Sequence, residues 1–152
     1  HAYGDARATH TFEAGLIATA LSGGVTTALK YASGRARPSL AAGLSSRQFE
    51  PFGGDMSFPS GHAAVAFSLA GTIGYHYPGW VGRTAMLGAC FTGFARVYNF
   101  HHWTSDVVFA AMLSTATAHC VSRMNLAAAH GDLTFEPYFG PNAQGLALRK
   151  RF

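Results

Sequence analysis

The stretch from Phe58 to Gly71, FPSGHAAVAFSLAG, sets a polar tetrapeptide directly against a run of small apolar residues. Ser60 suits a helix N-cap, because its hydroxyl can accept a hydrogen bond from one of the free backbone N–H groups of the first turn. The residues after it are apolar and carry no breaker before Pro78-Gly79, so the pattern predicts a helix from about Gly61 to Tyr77. Folding does not require His62. A helix N-terminus combines partial positive charge with unpaired N–H donors, which makes it a ready anion site. A histidine there reads either as a proton donor beside an anion or as incidental, and the rest of the chain has to decide.

Three further helices follow from the pattern. One runs from about Ala6 to Ala32, with Phe12, Leu16, Ile17, Leu21, Val25 and Leu29 at helical spacing as its apolar face. The others run from about Trp80 to Tyr98 and from about Thr104 to Arg123. Between Ser33 and Pro59 the pattern gives way to Gly, Pro, Ser and polar residues, and a connection this long is usually functional or disordered. Beyond Met124 the pattern is irregular and ends in GLALRKRF, a short strand or a basic tail. The expected fold is all-α: a compact bundle of about four to six helices with an irregular tail over 124–152, in one domain covering 1–152.

Composition narrows the function. Hydrophobic residues make up 49% of the 152, but charged residues only 12%, about half the usual ~25%. Abundant Ala, Gly and Thr suit close helix–helix packing, within a membrane or outside one. The net charge of +4 favours anionic partners, yet no basic run tracks a phosphate backbone and no aromatics interleave with one, so nucleic acid is not an expected partner. Each apolar stretch approaches the ~20 residues needed to cross a bilayer. Polar groups interrupt all of them, and the mean hydropathy is only +0.13. The expected bundle is therefore soluble or rests on a membrane. Cys90 and Cys120 read as small buried hydrophobes, with a disulfide left open. The chain opens on His1, and no signal peptide is evident in it.

Three polar stretches stand among the apolar helices. KYASGRARP supplies Lys30, Arg35 and Arg37; PSGH supplies Ser60, Gly61 and His62; ARVYNFHHWTSD supplies Arg96, His101, His102 and Asp106. His102 and Asp106 are four apart and would share a helix face. A carboxylate beside an imidazole fixes the tautomer and leaves the other nitrogen bare, as nucleophile, base or metal ligand. Singly, each group has an ordinary explanation: a helix-end lysine, solvated loop arginines, a cap, a surface His–Asp pair. Together they suit a tetrahedral, multiply charged oxyanion, with arginine forks and a lysine point charge on its oxygens.

These motifs resemble those of the type 2 phosphatidic acid phosphatase superfamily, K-x6-R-P, P-S-G-H and S-R-x5-H-x3-D. Lys30 to Arg37-Pro38, Pro59 to His62, and Arg96, His102 and Asp106 match in order and spacing over a core of 30–106. Ala95 stands where the family has Ser, which removes one hydroxyl contact. The resemblance implies a phosphatase acting on a phosphate monoester or a lipid phosphate or pyrophosphate. His102 would form a phosphohistidine, Asp106 would orient it, and His62 would protonate the leaving oxygen. Lys30, Arg37, Ser60, Gly61 and Arg96 would hold the phosphoryl oxygens, with no metal and no cofactor. The expected partners are a phosphorylated small molecule or lipid and a membrane surface, with the site on the periplasmic side.

Other readings remain open on the residues alone. A vanadium-dependent haloperoxidase uses a similar oxyanion site, although such chains are generally longer. A non-catalytic anion or membrane-surface module would use the same cations. A zinc hydrolase would take His62, His102 and Asp106 as ligands. His101, His10, His76, His119 and His130 read as rim or solvent residues. Arg35 reads as a cation at the pocket mouth or a solvated loop residue, and Asp55 as a loop carboxylate within reach of the site.

Overall fold

The computed structural model describes residues 2–40, 46–53, 56–130, 133–140 and 143–150. Helix α1 spans Ala2–Ser33, α2 Gly61–His76, α3 Trp80–Tyr98 and α4 Thr104–Ala129, with a single 3-10 turn at Pro38–Leu40. Ser60 caps α2, its hydroxyl accepting from the Ala63 N–H at 3.4 Å. Helix α4 runs past the expected end at Arg123, because Leu126 to Ala129 are strong helix formers and no breaker intervenes. The tail, expected to be irregular, contains two strands, β1 (Leu133–Gly140) and β2 (Ala143–Lys150), paired antiparallel with Leu133 opposite Lys150. The all-α class describes the chain through Ala129.

Helix α2 is the hub: it packs on α1, α3 and α4, and α1 also packs on α4. The contacts run along three stripes at four-residue spacing, which keeps residues on one helix face. Ala14, Ala18, Ser22 and Thr26 are buried on α1; Ala64, Ser68, Thr72 and His76 on α2; Asp106, Ala110, Ser114, Ala118 and Ser122 on α4. Small side chains let the helices come close. A Cβ added at Gly71 would lie 3.0 Å from the Ala118 Cβ, and one at Gly93 would lie 2.7 Å from a Val107 methyl.

The large apolar residues point outward. Phe12, Leu16, Ile17, Leu21 and Val25, expected as the inner face of α1, are exposed, Phe12 at 67%. On α3 and α4, Leu87, Phe91, Phe94, Val108 and Met112 are exposed as well. Helical periodicity shows that two faces differ, not which one turns inward, and here the smaller, more polar face packs more tightly. The buried hydroxyls of Ser22, Thr26, Ser68, Ser114 and Ser122 have no hydrogen-bond partner among the described residues. An interior of Ala and Ser inside an exterior of Phe and Leu is the packing of helices in apolar surroundings. By length and composition, Ala6–Ser33 and Thr104–Ala129 could each cross a membrane.

Two smaller expectations are corrected. Cys90 and Cys120 are free and exposed, because they fall on the outward faces of α3 and α4. His76 is buried, because it continues the inward stripe of α2, and its carbonyl accepts from the Arg7 guanidinium.

Enlarging the stripe should therefore destabilise more than trimming the exterior. Ala64→Leu should cost about 1–3 kcal/mol by overpacking. Phe91→Ala should stay within about 0.5 kcal/mol. Unfolding of the detergent-solubilised protein measures both, and the reverse order would contradict the inward placement of the small residues.

Candidate functional site

The site forms where one end of the bundle meets the two long connections. Gly34 turns the chain out of α1 at a φ of 52°, and a side chain there would overlap the Glu50 carbonyl. The segment it launches is fastened to the α3–α4 turn by bonds from Trp103 Nε1 to the Ala36 carbonyl (2.9 Å) and from the Ser39 N–H to the Phe100 carbonyl (2.9 Å). Ser57 N–H donates to the Arg35 carbonyl at 3.0 Å, and Ser60 N–H to the Asp106 carbonyl at 3.1 Å. All three motifs are thus held together largely by main-chain bonds.

Around this junction lies a cavity of about 870 Å³. Lys30, Arg37, Gly61, His62, Arg96, His101 and His102 line its polar end, while Thr26, Thr27, Val65, Ala66 and Thr92 continue its wall between α1 and α3. Lys30 Nζ donates to the Met56 carbonyl at 2.6 Å, which leaves two of its three protons for a ligand. The buried Nε of Arg96 has no hydrogen-bond partner among the described residues. Gly61 brings backbone close to the lysine, since a Cβ there would stand 3.7 Å from Lys30 Cε.

His102 is 4% exposed, and its Nδ1 lies 2.8 Å from the Ser57 carbonyl oxygen. A carbonyl only accepts, so Nδ1 carries the proton and Nε2 is left bare. Asp106 Oδ2 stands 3.6 Å from Nδ1, beyond hydrogen-bond length. The carboxylate is fully buried and accepts from Arg35 Nη1 (2.5 Å), Ser57 Oγ (2.6 Å) and Trp103 N–H (2.9 Å). The tautomer expected from Asp106 is therefore set directly by a main-chain carbonyl, with the carboxylate one step behind it.

Of the expected residues, the structure brings Lys30, Arg37, Gly61, His62, Arg96 and His102 to one cavity. Ser60 and Asp106 are buried behind its wall. His101 is exposed at the rim, as expected. Asp55 lies outside the described residues. Arg35 is neither solvated nor at the mouth; it is 7% exposed and paired with Asp106. Because Asp106 faces Arg35, Ser57 and Trp103, it does not share a metal-ligand geometry with His62 and His102, and among the described residues no group of three ligating side chains converges. Ser57 and Trp103 carried no signal in the sequence.

Three cations and two imidazoles line one hollow beside the first turn of α2, an arrangement that suits a tetrahedral oxyanion, set in a helical bundle. The PAP2 superfamily profile matches residues 14–129, and the chain belongs to that family. It is similar to a lipid A 1-phosphatase of Porphyromonas gingivalis, 36% identical over 98 residues, or 62% of this chain and 19% of the relative. It also resembles an undecaprenyl-diphosphatase of Sulfolobus acidocaldarius, 33% identical over 66 residues, or 43% of this chain and 32% of the relative. The chain thus spans about a fifth to a third of the length of these relatives. No solved structure matches it significantly.

Partial desolvation, then the charges of Arg96, His102, Lys30 and His101, hold His62 below the ordinary histidine value of 6.5. A bound dianion counters that repulsion and favours the imidazolium. By linkage, an anion whose own charge is constant should bind more tightly as pH falls through the His62 titration. Sulfate titrations between pH 5 and 8, with the His62 ring followed by NMR, should show a free midpoint below 6.5 that rises on binding. An unmoved midpoint would remove His62 from the anion site.

Proposed function

We propose that this chain is a metal-independent phosphatase that hydrolyses a lipid phosphate or pyrophosphate through a phosphohistidine at His102. The observation that carries the proposal is His102, its Nδ1 held by the Ser57 carbonyl and its side chain on the wall of a cavity shared with Lys30, Arg37, Arg96 and His62. Nε2 attacks phosphorus and the P–O bond to the leaving group breaks, while His62 gives that oxygen its proton. His62 then takes a proton from the water that cleaves the N–P bond. Arg forks and the lysine hold the equatorial oxygens, supplying the charge stabilisation for which other phosphoryl-transfer sites use a metal. Gly61 and the first turn of α2, capped by Ser60, present N–H donors to the same anion.

The lipid substrate rests on separate support. The relatives named above are a lipid A 1-phosphatase and an undecaprenyl-diphosphatase. The exposed Phe, Leu and Met side chains give the bundle an apolar exterior suited to acyl chains. We place the site on the periplasmic side of the membrane, following the family resemblance. His101→Cys, in a background lacking Cys90 and Cys120, should then react with a membrane-impermeant thiol reagent in intact cells. Labelling only after lysis would reverse that orientation.

Phosphate release in EDTA from a phosphatidate, a prenyl diphosphate and a small aryl phosphate tests the activity. His102→Ala should abolish turnover on all three. His62→Asn should lower kcat by about 10²–10⁴ on the phosphatidate, whose leaving group is a basic alkoxide, and by less on the prenyl diphosphate and the aryl phosphate, whose leaving phosphate and phenoxide are weaker bases. Full activity in His102→Ala would overturn the phosphohistidine mechanism.

A further inference from the structure

We propose that Arg35 and Ser57 are positioning residues that, through Asp106, hold the Ser57 carbonyl against His102 Nδ1 and so present Nε2 unprotonated to the cavity. The inference rests on the phosphatase reading for its kinetic consequence but not for its structural content. Three distances carry it. The Ser57 carbonyl is 2.8 Å from Nδ1, the Asp106 carboxylate is 3.6 Å away, and the Ser57 hydroxyl is 2.6 Å from that carboxylate. One residue therefore bonds the imidazole with its main chain and the carboxylate with its side chain.

Arg35 closes the arrangement from the other side. Its Nη1 donates to Asp106 Oδ1 at 2.5 Å and to Ser105 Oγ at 2.8 Å, and Nε and Nη2 donate to the Ser46 carbonyl at 2.9 and 2.6 Å. Its own carbonyl accepts the Ser57 N–H at 3.0 Å, so Arg35 grips Ser57 directly as well as through Asp106. The guanidinium also lies 5.8 Å from the Trp103 ring centroid and 5.3 Å from that of Phe49. The fork is thereby fixed on every side, which a lysine at this position would not reproduce.

The chemical consequence concerns the proton on Nδ1. When Nε2 bonds to phosphorus, the ring becomes cationic and Nδ1–H becomes more acidic. An unpaired buried carboxylate would be a strong base beside it. With one oxygen held by Arg35 and the other by Ser57 and Trp103, Asp106 does not take that proton. The phosphohistidine stays protonated at Nδ1, which keeps the imidazole a good leaving group when water attacks. No proton is gained or lost by Arg35, Ser57 or Asp106 in this cycle.

Ser57→Ala keeps the carbonyl and removes the hydroxyl, so it is the sharpest test. The histidine ring 15N shifts should show His102 as the Nδ1–H tautomer in the wild type and as a mixture in the variant. kcat should fall about 10–100-fold, the range for groups that orient a ligating or catalytic histidine, with KM within about twofold and Tm little changed. Arg35→Gln should shift the tautomer further, and Arg35→Lys should restore it only in part. Removing the arginine strands a buried carboxylate; should Arg35→Gln not fold, Ser57→Ala still decides. An unchanged tautomer in Ser57→Ala overturns the proposal, whether or not turnover falls. Because the 15N readout needs no substrate, it stands apart from the His102→Ala assay that tests the phosphatase itself.

Discussion

Close approach of three helices along stripes of small residues is the constraint on which the rest depends. Ala14-Ala18-Ser22-Thr26 on α1 leads, at the next step of four, to Lys30. Ser60 begins the stripe Ala64-Ser68-Thr72 on α2, and Asp106 begins Ala110-Ser114-Ala118 on α4. Each stripe therefore aims a site residue at the same end of the bundle. Helix axes lie about 8–10 Å apart depending on the side chains between them, and small side chains favour the lower part of that range. Leucines in these stripes would push the ends apart and leave the cations without a common target. The fold and the site are one packing solution.

That geometry also sorts the charges. The cavity end collects Lys30, Arg37 and Arg96, and the His62 ring is held below its usual protonation range among them. The carboxylate of Asp106, by contrast, is turned inward and paired with Arg35. A carboxylate facing the cavity would repel a phosphate dianion. On the proposed reading, the same carboxylate buried behind the histidine, with its charge balanced by a guanidinium, steadies the nucleophile without opposing the ligand. In a half-buried pocket such charges are screened less than they would be in open water. The cost of burying them is met by nearly complete hydrogen bonding around Asp106.

The sequence made the helices and the motif spacing legible for definable reasons. Ser60 is a cap, Pro78-Gly79 is a breaker, and Trp80–Tyr98 begins and ends where it should. The motif residues carry side-chain chemistry that letters record. What escaped was of a different kind. The inward face of α1 depends on what surrounds the bundle, so a pattern of Phe12, Leu16 and Leu21 that means core in water means exterior in an apolar environment. Cys90 and Cys120 were misplaced by the same assumption. The partner of His102 Nδ1 is a carbonyl, and every residue has one, so no letter marks Ser57 for that task. Arg35 resembled a solvated loop charge because its carboxylate partner lies 71 positions away.

The outward apolar faces and the inward cations meet at the cavity wall. Helices α1 and α3 both pack on α2 but not on one another, so the space between them stays open along α2. Thr26, Thr27, Val65, Ala66 and Thr92 line that opening below the cation cluster, and it reaches Gly23, seven residues or about 10 Å of helix from Lys30. On the proposed reading, a phosphate seated among Lys30, Arg37 and Arg96 would have its leaving group pointed past His62 toward this slot. A long apolar chain could then leave the site sideways and join the exterior of Leu16, Leu69 and Phe91 without crossing water. A small water-soluble phosphate gains nothing from such an opening. The same small residues that let the helix ends converge on the oxyanion thus leave, one or two turns along, the gap that suits an ester of a lipid.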